Sequence, residues 1–394
     1  MKKMRVATSD LDITLALQTG KNADATRRNL AKIKMPDGLK IDLYAVVPDV
    51  RHMAVAPSTN MLFVGTRKTT VWAVTDRNNG GETTEVKAFA PSLNFKNPNG
   101  VFFTQDGFLI VAEHNRVLTF PAAEFFYEGP DVAVGEIRSQ GKLVPTEYES
   151  YNHGARTCRV GPDKKLYITL GQPFNVPPAD KYQELERMGI GALVRINLDG
   201  TGREIYASGM RNSVGQDFNP KDGSLWWTVN QTDGLGDEIP PEELNRSTKA
   251  GQHFGYPYWN GHYKVASSPA AADLKDMKEP ANAVFPEIEF PAHQVQLGMA
   301  FSTGKMFPAK YRGGIFIAAH ESWNRSPASG ALINYVPLKA DGKADKSEVF
   351  AEGWLSQATG TYIGRPVDVA MLQDRSLLIS DDYVGAIYRV AYNN

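Results

Sequence analysis

GVFFTQDGFLIVAE, residues 100–113, runs as an apolar stretch, turns at Gln105-Asp106-Gly107 and returns as a second apolar stretch. Two such runs joined by an Asp-Gly turn predict a β-hairpin. Five further stretches share the pattern: MAVAPSTNMLFVGT (53–66), TCRVGPDKKLYITLG (157–171), GQDFNPKDGSLWWTVN (215–230), GMAFSTGKMFPAKYRGGIFIAAH (298–320) and DVAMLQDRSLLISDD (368–382). The fifth in chain order, 298–320, has the longest turn. Third-strand candidates follow, among them TVWAVT (70–75), RVLTFP (116–121), ALVRINL (192–198), ALINYVPL (331–338) and AIYRVAY (386–392).

The repeats start from about 45 to about 85 residues apart, against roughly 40–50 for a propeller blade, and the excess is loop. Helical signal is confined to ADKYQELERM (179–188) and PEELNRSTKAG (241–251). Strands without helices between them argue against a parallel βαβ sheet and for a closed all-β array. The expectation is one domain over 1–394, a six-bladed β-propeller, with 1–40 as an N-terminal extension packing on or closing the ring. A β-sandwich with long insertions is the competing architecture.

The composition excludes several classes. At 394 residues, 42% hydrophobic and 22% charged, the chain has ample core material. A net charge of −1 provides no general attraction for nucleic acid or an anionic membrane. The single cysteine, Cys158, lies in a strand-like run and reads as a buried, inert thiol. No apolar run reaches the roughly 20 residues that span a bilayer. Ser9, Asp10 and Asp12 interrupt the N-terminal stretch, so no secretory signal is read in this chain.

In a propeller the inner strands converge on the axis, so polar residues just before them face one opening. His153, Arg211 with Asn212, Arg365 and Asn99 hold such positions. Two converging arginines repel unless a carboxylate or an anionic ligand lies between them.

NHGARTCRVGPDKKLYITLG (152–171), YASGMRNSVGQDFNPKDGSLWWTVNQ (206–231), DEIPPEELNRSTKAGQHFGYPY (237–258), HESWNRSP (320–327) and GRPVDVA (364–370) together resemble the glucose/sorbosone dehydrogenase family. HESWNR and GRPVDV place the resemblance closest to its sorbosone and aldose dehydrogenase branch. It spans most of 40–394 and implies a six-bladed quinoprotein that uses pyrroloquinoline quinone (PQQ) and calcium to oxidise a sugar. Periplasmic or secreted location and a soluble electron acceptor are implied with it. By the resemblance His153 is the general base for the C1 hydroxyl and Arg211 stabilises the negative charge developing on the quinone. Asn99, Asn212, Arg325 and Arg365 contact the cofactor, and the Thr232 and Asp233 carbonyls bind calcium. Where the family often has an aspartate before the histidine this chain has Asn152, and Val367 replaces a second arginine of the last blade. Gln231-Thr232-Asp233 replaces a Gly-Pro pair. Two rival readings stay open: a calcium-dependent lactonase, and a binding propeller without catalysis.

Overall fold

The computed structural model describes residues 4–76, 83, 85–265 and 279–392. All six hairpins form, and each is the inner half of its own sheet. The innermost strands are Val50–Val55, Gly100–Phe103, Cys158–Val160, Asn212–Phe218, Gln296–Phe301 and Pro366–Met371. Each contacts the next, and the last contacts the first, so the sheets stand radially as a six-bladed β-propeller. Leu39–Val46 closes the ring by pairing antiparallel with Ala386–Tyr392, Leu39 opposite Tyr392 and Val46 opposite Ala386.

Close approach at the axis restricts the inner strands. A Cβ on Gly215 would stand 2.0 Å from the Leu297 carbonyl, and one on Gly298 equally close to Asp368 Oδ1. Between blades the packing is aromatic. Trp226 and Trp227 are adjacent and so point to opposite faces of their strand. Both are fully buried, Trp226 edge-on to Phe301 and Trp227 edge-on to Phe254. Cys158 is buried, and burial pushes its thiol up to about 12, which leaves it inert at neutral pH.

Ala179–Met188 is the helix expected, ended by Gly189 at φ 74°. The second expected helix is a correction: Glu242–Ser247 is a strand between Leu225–Asn230 and Ile288–Phe290. Its two glutamates suggest a helix start, but both are buried acceptors. Glu242 takes the Gln231 N–H at 3.1 Å and Glu243 takes Gln231 Nε2 at 2.5 Å. Conversely Lys21–Asn29 is a helix that its sequence conceals, since only Ala23 and Thr26 are buried and no apolar stripe results. Among the described residues no helix is long and apolar enough to cross a membrane.

An antiparallel hairpin brings the start of its first strand and the end of its second to one edge. Val50 lies opposite Thr66, Asn212 opposite Asn230 and Pro366 opposite Asp381. Residues flanking these pairs therefore surround a single mouth of the channel.

Candidate active site

That mouth holds a cavity of about 330 Å³. His153, Arg211, Asn212, Asp233 and Arg365 all line it, as does Asn152. Its floor is apolar: Ala155, Val214, Val295 and Leu297 face the space, and Val367 is packed into the same cluster with no exposure. Val367, where the family resemblance led to an arginine being expected, thus belongs to the apolar cluster under the cavity.

His153 sits above this floor in the left-handed region, at φ 55°. Few non-glycine residues adopt that conformation without being held there. Gly171 supplies the room, since a Cβ there would meet the His153 carbonyl at 2.8 Å and Asn212 Oδ1 at 2.6 Å. Nδ1 lies 2.6 Å from the Gln172 carbonyl. A carbonyl only accepts, so Nδ1 carries the proton and Nε2 keeps its lone pair. Burial first, then the positive charge of Arg211, lowers the imidazole pKa to about 4, with Arg67 and Arg156 adding to the effect. His153 is therefore neutral at pH 7, in the tautomer a base needs. The Gln172 carbonyl orients the ring without any carboxylate at position 152.

Opposite lies an ion-pair network centred on Asp382. Its carboxylate accepts from Arg51 Nη1 at 2.7 Å, Arg365 Nε at 2.7 Å and His320 Nε2 at 3.0 Å. Burial opposes its ionisation, but the His320 hydrogen bond and the charges of Arg51 and Arg365 outweigh burial and hold it well below the usual carboxylate range. Arg365 Nη1 also donates to Glu321 at 2.5 Å. Glu242 lies in the wall, and burial pushes its carboxyl up to about 8, so it is largely uncharged at neutral pH. With Arg51, Arg67, Arg211 and Arg365 lining the cavity against Asp233, Glu321 and Asp382, positive charge is in excess.

Asn175 ties the third element of the site together. Its Oδ1 accepts from Arg211 Nη2 at 2.9 Å and from the Asp233 N–H at 2.9 Å, and its Nδ2 donates to the Asp233 carbonyl at 3.0 Å. Each oxygen of the Asp233 carboxylate accepts one hydrogen bond, from Arg211 Nη2 at 2.5 Å and from Asn324 Nδ2 at 2.6 Å.

Three expected site residues do not line the cavity. Arg325 turns away, donating from Nη1 to the Asp237 carbonyl at 2.8 Å and from Nη2 to Glu238 at 2.6 Å; it fastens the 322–329 loop to the 233–238 loop. Asn99 is fully buried below the floor, with Nδ2 on the Arg156 carbonyl at 2.8 Å and Oδ1 3.4 Å from Arg51 Nε. Thr232 is fully buried too, its N–H and hydroxyl both on Asn260 Oδ1. Its carbonyl accepts no hydrogen bond among the described residues.

Arg51, Arg67, His320, Glu321, Trp323 and Asp382 also line the cavity, and sequence reasoning missed them as site residues. Applied to the first repeat, the inner-strand-start rule reaches Arg51. The hairpin geometry extends that rule to the ends of the second strands, where Arg67, His320, Glu321 and Asp382 stand. Asn175 lies in an irregular loop and left no such signal.

The two cofactor candidates can be tested against these residues. A planar, polyanionic, aromatic group such as PQQ fits an apolar floor ringed by arginines. For calcium, among the described residues no group of three or more His, Cys, Asp or Glu side chains could hold a metal ion. The main-chain oxygens of 232–233 remain, and the unpartnered Thr232 carbonyl is the hard donor calcium takes.

The TrAA12-like family profile matches residues 33–393, and the chain belongs to that family. An uncharacterized protein of Borreliella burgdorferi is 36% identical over 254 residues, covering 64% of this chain and 63% of that protein. A pyrroloquinoline quinone-dependent sugar dehydrogenase of Hypocrea jecorina is 26% identical over 199 residues, 41% of this chain and 46% of that protein. The matched stretches thus span less than two thirds of either relative. The calcium structure of the Trichoderma reesei family AA12 carbohydrate-active enzyme superposes with a TM-score of 0.75 over 91% of this chain and 97% of that one. At 19% identity that likeness establishes the shared fold. The family resemblance read in the His153 and GRPVDV motifs agrees with this membership.

Proposed function

We propose that this chain is a quinoprotein dehydrogenase that oxidises an aldose at C1 to its lactone, or the hydrate of a sugar aldehyde such as sorbosone, which carries the C1 hydroxyl, to its acid. Bound PQQ would supply the quinone that accepts two electrons as a hydride. The supporting observation is His153: neutral, above an apolar floor, Nδ1–H fixed on the Gln172 carbonyl and Nε2 without a hydrogen-bond partner among the described residues. Nε2 takes the C1 hydroxyl proton as the hydride leaves the same carbon. Arg211, anchored by Asp233 and Asn175, brings positive charge to where negative charge develops. Arg365 and Asn212 would hold PQQ, and the Thr232 and Asp233 carbonyls would hold calcium. Arg325 and Asn99 act one step back, Arg325 by fixing the metal loop and Asn99 by supporting Arg51. The electrons pass to a soluble acceptor, and the protein works in the periplasm or outside the cell.

A calcium lactonase would need several carboxylates free for its metal. Here Asp233, Glu321 and Asp382 are each paired with arginine, which favours the dehydrogenase. Reconstitution with PQQ and calcium followed by a dye-reduction assay over a sugar panel tests the proposal. Sugar-dependent reduction that requires PQQ is expected. Saturable PQQ binding with no sugar oxidised would overturn it in favour of a binding propeller.

A further inference from the structure

The arginines of the cavity are not equivalent. Arg51 is paired with Asp382, Arg211 with Asp233, and Arg365 with both Asp382 and Glu321. Arg67 has no carboxylate partner among the described residues. Its guanidinium lies 4.8 Å from the centre of the Tyr151 ring, and its Nε is buried without a hydrogen bond. Arg67 lines the cavity with no hydrogen bond from its guanidinium among the described residues, and a planar guanidinium suits a carboxylate or phosphate. A half-buried cation without a carboxylate is where an anionic ligand is favoured.

Depth separates this arginine from Arg51 and Arg211, and its lack of a carboxylate separates it from the half-buried Arg365. Arg51 and Arg211 are 5% and 3% exposed, close to the floor on which a flat cofactor would lie. Arg67 is half-buried, and Tyr151 and Trp323 beside the opening are 60% and 73% exposed. A sugar entering over the cofactor meets this lip, where Trp323 presents an apolar ring face and Arg67 a free charge.

We propose that Arg67, seated on the Tyr151 ring, binds an anionic group on the sugar, so that the preferred substrates are acidic sugars rather than neutral ones. This deepens the sugar dehydrogenase reading and rests on it. A hydrogen bond to a charged group contributes roughly 1.5–3 kcal/mol, about a tenfold or larger preference for the anionic sugar.

The test uses glycosides whose C1 is blocked, so that binding is read without turnover. Methyl glucuronoside, methyl glucoside 6-phosphate and methyl glucoside are titrated by calorimetry into the wild type and Arg67→Gln, with and without saturating PQQ. The wild type is expected to bind one anionic glycoside at least tenfold more tightly than the neutral one, and Arg67→Gln to abolish that preference. Which glycoside it is identifies the group as carboxylate or phosphate. No preference in the wild type, or a preference that survives Arg67→Gln, overturns the proposal. So does a tenfold rise in the PQQ dissociation constant of Arg67→Gln, which would put Arg67 against the cofactor. A protein that oxidises no free sugar would sink the dehydrogenase reading yet leave these binding results intact.

Discussion

The charges around Asp382 and those around His153 share one cavity but are arranged in opposite ways. Around Asp382 each cation has a carboxylate: Arg51 and Arg365 meet Asp382, and Arg365 meets Glu321 as well. Around His153 two cations have none among the described residues. Arg67 lies over Tyr151, and Arg156, 3% exposed, donates to the carbonyls of His114 and His153, at 3.0 and 3.2 Å. Burial lowers the Arg156 pKa to about 10, against the attraction of Glu149. The paired side spends its electrostatics on orientation, since desolvation cancels much of the Coulomb gain of a buried ion pair. Burial and the charge of Arg211 hold His153 neutral, the unpaired cations add to that effect, and Arg67 keeps a field that draws an anion toward the mouth.

Five measurements would break or sharpen that contrast. The largest effect belongs to His153→Gln, expected to lower kcat for dye reduction about 10²–10⁴-fold while the PQQ dissociation constant stays within roughly threefold. Turnover within tenfold of wild type would mean that the proton leaves elsewhere. Next, Asp382→Asn removes the carboxylate shared by two arginines and a histidine, with an expected loss of about 3–5 kcal/mol in urea unfolding. Arg67→Gln, which breaks no ion pair, should stay within about 0.5 kcal/mol. Similar losses in both would erase the distinction between the two sides.

The sign of the pH dependence follows from the depressed Asp382 carboxyl. Its folded-state affinity for protons is below the unfolded one, so its contribution is complete above the ordinary carboxylate range near pH 4 and disappears as pH falls through the lower folded value. The gap between wild type and Asp382→Asn should therefore be constant from pH 8 to about 5 and narrow only in stronger acid. A smaller loss, about 1–3 kcal/mol, is expected for Asn175→Ala, which cuts the hydrogen bonds holding Arg211 and Asp233 in place. An unchanged unfolding midpoint would show that Asp233 alone fixes Arg211. The smallest effect is on the acid limb of kcat/KM. It should follow an apparent pKa near 4 rather than the ordinary 6.5 of histidine, and Arg67→Gln should move it upward by removing one nearby cation. A limb at 6.5 would show that His153 is not shielded from protonation as described.

The legible parts of this molecule are those set by neighbours in sequence. Hairpins at 100–113 and 368–382 declare themselves because alternation and turn residues act over a dozen positions. The same logic located His153, Arg211, Asn212 and Arg365 before their inner strands. It failed for Glu242–Ser247, where burial between two strands overrides a helix-like composition, and for Arg325, whose motif said nothing about a partner 87 positions away, Glu238. Asn175 was invisible because nothing local distinguishes an asparagine that fastens two loops from one that faces solvent.

By itself the sequence determined six hairpins, their order, and a set of polar residues delivered to one mouth, since strand period and turn chemistry are local properties. Only the tertiary structure decided which charges neutralise each other. Arg51 meets Asp382 across 331 positions because the radial sheets close into a ring, whereas the same closure leaves Arg67 facing a tyrosine and open space. Pairing depends on distance and desolvation in the assembled cavity, and neither quantity exists along the extended chain.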